Sequence, residues 1–288
     1  MSPRVFVLLA LLCCGSTLHL HKAEGRLIYE KSLNNTPMNK ILGGSGAEYG
    51  EYPFIVSLEW NGMHICGGSV ISSNWLVTAA HCLRSWAGLV IRAGSMTKEE
   101  GGTVHQVLDV IQHSEFNINP MFDSDIALVK VKEPFTTNNY VQYVHLGKKR
   151  DIPQEGDDVV AAGWGITSSN GRGESSTNLL DVALKIINND NCDSAPGIER
   201  IRRNGYAIVK INHNMICAIA DHKDTTKGDS GGPLIKYKDD GKDPLLVGIV
   251  SWGEGSGQLD SPGVYSNVAN FIEWIYLHTV SLPGRSMF

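Results

Sequence analysis

The chain has 288 residues, 42% hydrophobic and 19% charged, which allows one or two globular domains with a real core and excludes a disordered chain. Of its 25 basic and 30 acidic side chains, residues 41–288 carry 20 and 28. That net charge near −8 argues against nucleic acid as the main partner.

The first 16 residues, MSPRVFVLLALLCCGS, put Arg4 ahead of an apolar run from Val5 to Cys14 and then small residues, the pattern of a secretory signal peptide. A run of ten falls short of the ~20 apolar residues of a membrane-spanning helix, and no later stretch is a better candidate. The expected mature protein is therefore secreted and extracellular, with no membrane partner. AEG at 23–25 offers a second cleavage signal, so the end of the leader stays open. Residues 17–40 are polar, contain Asn34 in NNT as a glycosylation candidate, and end on Lys40 directly before Ile41.

From residue 41 onward short apolar or alternating runs recur: FIVSLEW, GSVISSNWLVTAA, LVIRAG, TVHQVLDVI, DIALVKV, DVVAAGW, LLDVALKII, MICAIA, PLIKY, PLLVGIVSW and GVYSNV. Turn residues in NG, GG, DDGKDP and SPG separate them, so the spacing predicts an all-β barrel or sandwich. KKRDIPQEGDD at 148–158 reads as a charged crossing between two halves. One strong helical pattern, 268–279, has apolar residues at 268, 271, 272, 275 and 276 and predicts a docked C-terminal helix. The sequence carries no internal repeat.

Cys13 and Cys14 leave with the signal, and Cys66, Cys82, Cys192 and Cys217 remain, which in an oxidising compartment suggests two disulfides. Of the three possible pairings, the sequence-local one closes the shortest loops.

The chemistry concentrates in TTKGDSGGPL at 225–234. Gly228 lets the backbone approach a ligand closely, and the amides from Gly228 to Ser230 can point into one concavity, as an oxyanion hole needs. A nucleophilic Ser230 needs a base. LVTAAHC places His81 at the end of an apolar strand beside a disulfide cysteine, and DSDIALVKV places Asp125 at the mouth of another. A carboxylate buried there requires a partner and can fix the imidazole tautomer.

ILGG at 41, LVTAAHC at 76, DIALV at 125, GWG at 163, GDSGGPL at 228 and SWG at 251 resemble, in order, the motifs of the chymotrypsin-like, trypsin-type serine proteases. The resemblance covers residues 41 to about 279. It implies two antiparallel Greek-key β-barrels with a C-terminal α-helix, divided as 1–16 signal peptide, 17–40 activation propeptide, 41–150 N-terminal barrel and 151–288 C-terminal barrel. It assigns Ser230 as nucleophile, His81 as general base and later acid, and Asp125 as the orienting acid, in preference to Asp123. Gly228 and Ser230 supply the oxyanion hole. Cutting after Lys40 frees an ammonium on Ile41 that pairs with Asp229.

The same resemblance places the substrate pocket at Asp224, Ser251, Trp252, Gly253 and Gly263. Asp224 at its floor implies Arg or Lys on the acyl side of the scissile bond. Gly253 and Gly263 leave room for a long side chain, and Ser251 to Gly253 offer backbone groups to an extended substrate. Thr226 and Ser256 stand where relatives carry a cysteine pair bracing the pocket, which implies looser pocket loops and a less strict preference. Val159 and Lys236 replace another such pair, Thr225 adds a methyl beside the floor, and Lys227 adds a charge at the entrance that disfavours basic residues near the cut. SMTKEEGG at 95–102 lacks the first ligand expected of a calcium loop, leaving Glu99 and Glu100 as solvent-facing turn residues. No metal and no cofactor are expected. The partners are a protein or peptide substrate, an activating protease and protein inhibitors, around a monomer. The rival readings are an enzyme with broader or apolar specificity and a silent homologue that only binds.

Overall fold

The computed structural model describes residues 45–116, 122–166, 174–205, 209–220, 225, 227–238, 241, 243–254 and 260–280. Residues 1–44, with the leader, Asn34, Lys40 and Ile41, lie outside the described residues, as do Asp224, Thr226 and Ser256.

Fourteen strands are described: β1 (Ser45–Gly46), β2 (Ile55–Trp60), β3 (Met63–Val70), β4 (Trp75–Thr78), β5 (Leu89–Ala93), β6 (Thr103–Gln112), β7 (Ala127–Val131), β8 (His145–Leu146), β9 (Asp158–Gly163), β10 (Leu180–Ile187), β11 (Met215–Ile219), β12 (Pro233–Tyr237), β13 (Pro244–Trp252) and β14 (Gly263–Asn267). Every apolar run of the sequence lands on one of them. Strands β2-β3-β4-β7-β6-β5 close one antiparallel barrel. Strands β9-β10-β11-β14-β13-β12 close a second, with β12 returning to β9. Counted within each barrel, the order is the same, 1-2-3-6-5-4, so the duplication is topological and leaves no repeat in the residues. The expected two-barrel architecture is found.

Period-2 burial explains the half-buried strands. In β5, Leu89, Ile91 and Ala93 point inward and are buried, and in β10 Leu180, Val182, Leu184 and Ile186 do the same. β13 is buried on both faces because Val247 and Val250 fill its own barrel, whereas Leu246 and Ile249 face a cluster shared with Phe271 and Ile275. Each such side chain contributes roughly 1.5–3 kcal/mol on burial. The charged stretch at 148–158 lies between β8 and β9 and carries a 3-10 turn at Lys149–Asp151, but β8 already pairs with β13 of the second barrel, so the chain reaches that sheet before Lys148.

The expected C-terminal helix is found, with a later start, and two further helices join it. The C-terminal segment begins as a 3-10 turn (Val268–Asn270) and becomes α3 (Ile272–Thr279) only after Phe271, so the predicted stripe rotates and Tyr276 is exposed while Ile275 is buried. Two helices were not predicted, α1 (Asn189–Asp193) and α2 (Pro196–Arg203). Asn188 caps α1 by accepting from the Asn191 amide at 2.8 Å. α2 starts on Pro196, has Glu199 in its first turn and ends on Arg200, Arg202 and Arg203, the charge order that its dipole favours. Both disulfides follow the sequence-local pairing, Cys66–Cys82 and Cys192–Cys217.

Candidate active site

The strand β4 is buried along its length, and the chain leaves it through Ala79 and Ala80, neither exposed, into a 3-10 turn that carries His81. Small residues let this turn sit close to the neighbouring strand β7, which pairs with β4 from Thr78 to Ala127. Asp125, two residues before β7, is fully buried. Its Oδ1 accepts the His81 amide at 2.9 Å, and its Oδ2 accepts His81 Nδ1–H at 2.7 Å and the Ser251 hydroxyl at 2.6 Å. Its main-chain carbonyl accepts the Ser266 hydroxyl at 2.7 Å. A buried carboxylate can only accept, so the imidazole proton stays on Nδ1 and Nε2 keeps its lone pair for a base's work. Ser251 lies on β13 and Ser266 on β14, so this one aspartate joins the two barrels. Asp123 accepts the Ser124 amide at 2.8 Å and lies 3.4 Å from Asn214 Nδ2, apart from this cluster.

The Ser230 loop is pressed against the strand that delivers His81. Ser230 O accepts the Gly67 amide at 2.8 Å, next to Cys66, whose disulfide partner Cys82 adjoins His81. Gly231 has φ of +77°, and a Cβ there would lie 2.2 Å from Thr78 Oγ1 and 2.6 Å from Gly67 O. Only glycine fits. Gly228 has φ of +100°, and the amides of Gly228 and Ser230 have no hydrogen-bond partner among the described residues. Two such donors separated by one residue suit a developing oxyanion. The Gly228 carbonyl is held from behind by His64 Nε2 at 2.8 Å, while His64 Nδ1 meets the Ser57 hydroxyl at 2.8 Å. Since a carbonyl only accepts, Nε2 carries the proton and Nδ1 accepts from Ser57. Burial lowers the His64 pKa from the ordinary 6.5, against the raising effect of the Gly228 bond.

Asp229 is buried too, and the GWG motif surrounds it. Its Oδ1 accepts the Gly165 amide at 2.7 Å, and a Cβ on Gly163 would lie 2.2 Å from the same oxygen. Trp164 between them is buried and donates to Met96 O at 3.0 Å.

The model of the family described as Trypsin matches residues 41–275. The chain belongs to the trypsin family. Trypsin epsilon of Drosophila erecta is 39% identical over 238 residues, covering 82% of this chain and 86% of that protein. Trypsin delta of Drosophila melanogaster is 37% identical over 82% of this chain and 87% of that protein. Human transmembrane protease serine 11B is 34% identical over 82% of this chain and 55% of that protein. The chain is thus a chymotrypsin-like serine protease, and peptide-bond hydrolysis at a serine is its chemistry.

For a trypsin-family pocket, Ser251 and Trp252 are buried at the end of β13, Gly253 is exposed after them, and Gly263 is buried at the start of β14. Thr225, the residue after Asp224, is buried with its hydroxyl 3.2 Å from the Tyr265 hydroxyl on β14. Lys227 is exposed. Val159 and Lys236, on the paired strands β9 and β12, hold their positions without sulfur: Val159 is core and Lys236 pairs with Asp157 at 2.6 Å.

In the 95–102 loop Arg92 occupies the interior, pairing with buried Glu59 at 2.7 and 3.0 Å and donating to Gly101 O at 2.6 Å. Glu99 and Glu100 are exposed, although Glu99 Oε1 also accepts the His64 amide at 2.8 Å. Cys66, His81 and Cys82 lie close together, but both sulfurs are spent in a disulfide and cannot ligate a metal. No helix among the described residues is long and apolar enough to cross a membrane.

Sequence reasoning missed the Ser251 hydroxyl on Asp125, the Ser266 bond, the His64 support of Gly228, and the Phe122 ring, which packs 5.3 Å from the imidazole. The one available signal was the position of His64, two residues before a disulfide cysteine.

Proposed function

We propose that this protease is a secreted precursor which, once cut after Lys40, hydrolyses peptide bonds following Arg or Lys through an acyl-enzyme on Ser230. The observation that carries the catalytic assignment is the fully buried Asp125 carboxylate, which takes three donors and so holds the His81 proton on Nδ1. In this reading the Ser230 hydroxyl attacks the scissile carbonyl and passes its proton to His81 Nε2. Asp125 compensates the positive charge the ring acquires, and the Gly228 and Ser230 amides receive the oxyanion. The imidazolium then protonates the leaving amine, and a water deacylates Ser230 by the same route.

Activation is supported by strand register. Gly46 on β1 pairs with Leu180, Leu180 pairs with Gly163, and Gly163 abuts the Asp229 carboxylate. Gly46 is thus two strand spacings, about 10 Å, from Gly163. Ile41 precedes Gly46 by five residues, a reach of about 16 Å in extended chain, so a freed Ile41 ammonium is within range of Asp229. Burying that pair compensates two charges that would each be costly alone.

The preference for Arg or Lys rests on Asp224 and on the relatives named trypsins. Secretion rests on the leader at 1–16. The working partners are peptide substrates and an activating protease, with a monomer as the active unit. Peptide-library profiling after cleavage behind Lys40 tests the reading, with cuts expected after Arg and Lys. Equal cutting after Phe would overturn the role of Asp224, and absence of any leaving-group burst in the cut protein would favour the silent homologue.

A further inference from the structure

The segment from Gly253 to Gly263 runs between β13 and β14, and nothing covalent ties it to the rest of the fold, because Cys217 is the last cysteine of the chain. Its two shoulders are nevertheless gripped by one side chain. Arg200, on α2, donates through Nε to Glu254 Oε1 and Oε2 at 2.9 and 3.2 Å, and through Nη2 to Glu254 Oε2 at 2.6 Å. The same guanidinium donates through Nη1 and Nη2 to Asp260 Oδ2 and Oδ1 at 2.9 and 3.1 Å. The shoulders also meet each other, Ser261 Oγ donating to Glu254 Oε2 at 2.9 Å.

The anchor behind Arg200 is firm. Ile198 on α2 is buried in a cluster with Cys192, Cys217, Trp252 and Val264, so the helix sits on the second disulfide and on the strands that flank the segment. Arg202 ties the helix back to Asp193 O at 2.7 Å and to Val209 O at 2.9 Å. At the N-terminus of α2, the Gly197 amide donates to Asp260 O at 2.8 Å, and a Cβ on Gly197 would lie 2.6 Å from Ser261 Oγ and 2.7 Å from its Cα.

We propose that Arg200 is a positioning residue for substrate: its guanidinium clamps Glu254, next to Gly253 after β13, to Asp260, three residues before Gly263 at the start of β14, and so fixes the spacing of these two pocket positions. The inference rests on the reading of Gly253 and Gly263 as pocket walls. Arg200, Glu254 and Asp260 are each partly exposed, and an isolated ion pair in that setting contributes little to global stability. A planar fork bridging two carboxylates instead fixes geometry, which a lysine's single point charge cannot reproduce. The bonds to Arg200 lower the pKa of both Glu254 and Asp260, so the clamp stays charged at neutral pH. The expected signature is therefore altered substrate binding with the catalytic cluster intact.

The test compares the parent, R200M, R200K and D260N, each cut behind Lys40, on peptide substrates ending in Arg and in Phe, with burst titration by a small activated ester as a count of working sites. In R200M, KM for the preferred peptide is expected to rise about tenfold with kcat changed less than about threefold, the loss of binding that charge-assisted bonds typically support. D260N, which removes one shoulder and leaves the arginine on α2, is expected to give about threefold, and R200K a value between parent and R200M. Burst amplitude stays at the parent level in all of them. KM within twofold of the parent in both R200M and D260N, or a burst lost along with KM, would overturn the clamp; D260N decides alone if R200M does not fold. A parent that prefers Phe defeats the primary-specificity reading, while the KM comparison on that preferred peptide still decides the clamp.

Discussion

Asp125→Asn removes one charge at nearly constant volume, and the hydrogen bonds around the side chain determine its effect. Three donors converge on this side chain, His81 N and His81 Nδ1–H with the Ser251 hydroxyl, and it sits where water has no access. A carboxylate meets them with two accepting oxygens. An amide offers one accepting oxygen and an NH2 that must donate, so at least one of the three donors then faces another donor. The Ser251 hydroxyl can rotate away, and the His81 amide is fixed in the backbone turn. The amide oxygen therefore stays with His81 N, and the ring responds by moving its proton to Nε2 so that Nδ1 can accept from the new NH2. A base protonated at Nε2 cannot take the Ser230 proton. The magnitude comes from the general behaviour of such aspartates, about 10⁴-fold in kcat, or about 5.5 kcal/mol in barrier. Steady-state hydrolysis by the cut protein measures it, with thermal unfolding as a check on the fold. A kcat within tenfold of the parent would show that the buried carboxylate does not hold the tautomer.

The Gly231→Ala variant is expected to lose about 3 kcal/mol of stability or more, because the new Cβ meets backbone at Gly67 O as well as Thr78 Oγ1 at a positive φ; urea unfolding reads this. His64→Gln keeps a donor for Gly228 and an acceptor for Ser57 but does not titrate. Because burial lowers the His64 pKa, its contribution is present above the ordinary 6.5 and lost as pH falls through the depressed folded value. The parent's unfolding temperature should thus fall more steeply below about pH 6.5 than the variant's, and parallel curves would refute the assignment. Replacing Cys192 and Cys217 by Ala opens a loop of 25 residues and is expected to cost about 3.5 kcal/mol on the loop-entropy account, measured by denaturant titration against the parent.

The half-buried strands were legible because such walls impose alternation, and β5 and β10 display it residue by residue, whereas β4 and β13, buried on both faces, were legible as short continuous apolar runs. α2 was not, since PGIERIRR has only Ile198 and Ile201 as apolar guides, and it persists through the disulfide beneath it and the arginines along it. α3 was legible in kind, but its register depended on Phe271 closing a 3-10 turn first, which hydrophobic spacing does not encode. At the site, the motifs marked His81, Asp125 and Ser230 singly. The polar contacts around them join residues far apart in the chain: Ser251 reaches Asp125 across 126 positions, and His64 reaches Gly228 across 164. No local pattern specifies such contacts, and the glycines at 163 and 231 show why the motifs need them only once their neighbours are in place.

The most direct measurement of the catalytic account is the site and rate of covalent labelling by a phosphonyl fluoride in protein cut behind Lys40, followed by intact-mass and peptide mass spectrometry. One adduct on Ser230 is predicted, absent from Ser230→Ala and from denatured protein, and strongly slowed in Asp125→Asn. Label on another residue, or on Ser230 at the same rate in the Asp125→Asn variant, would contradict it.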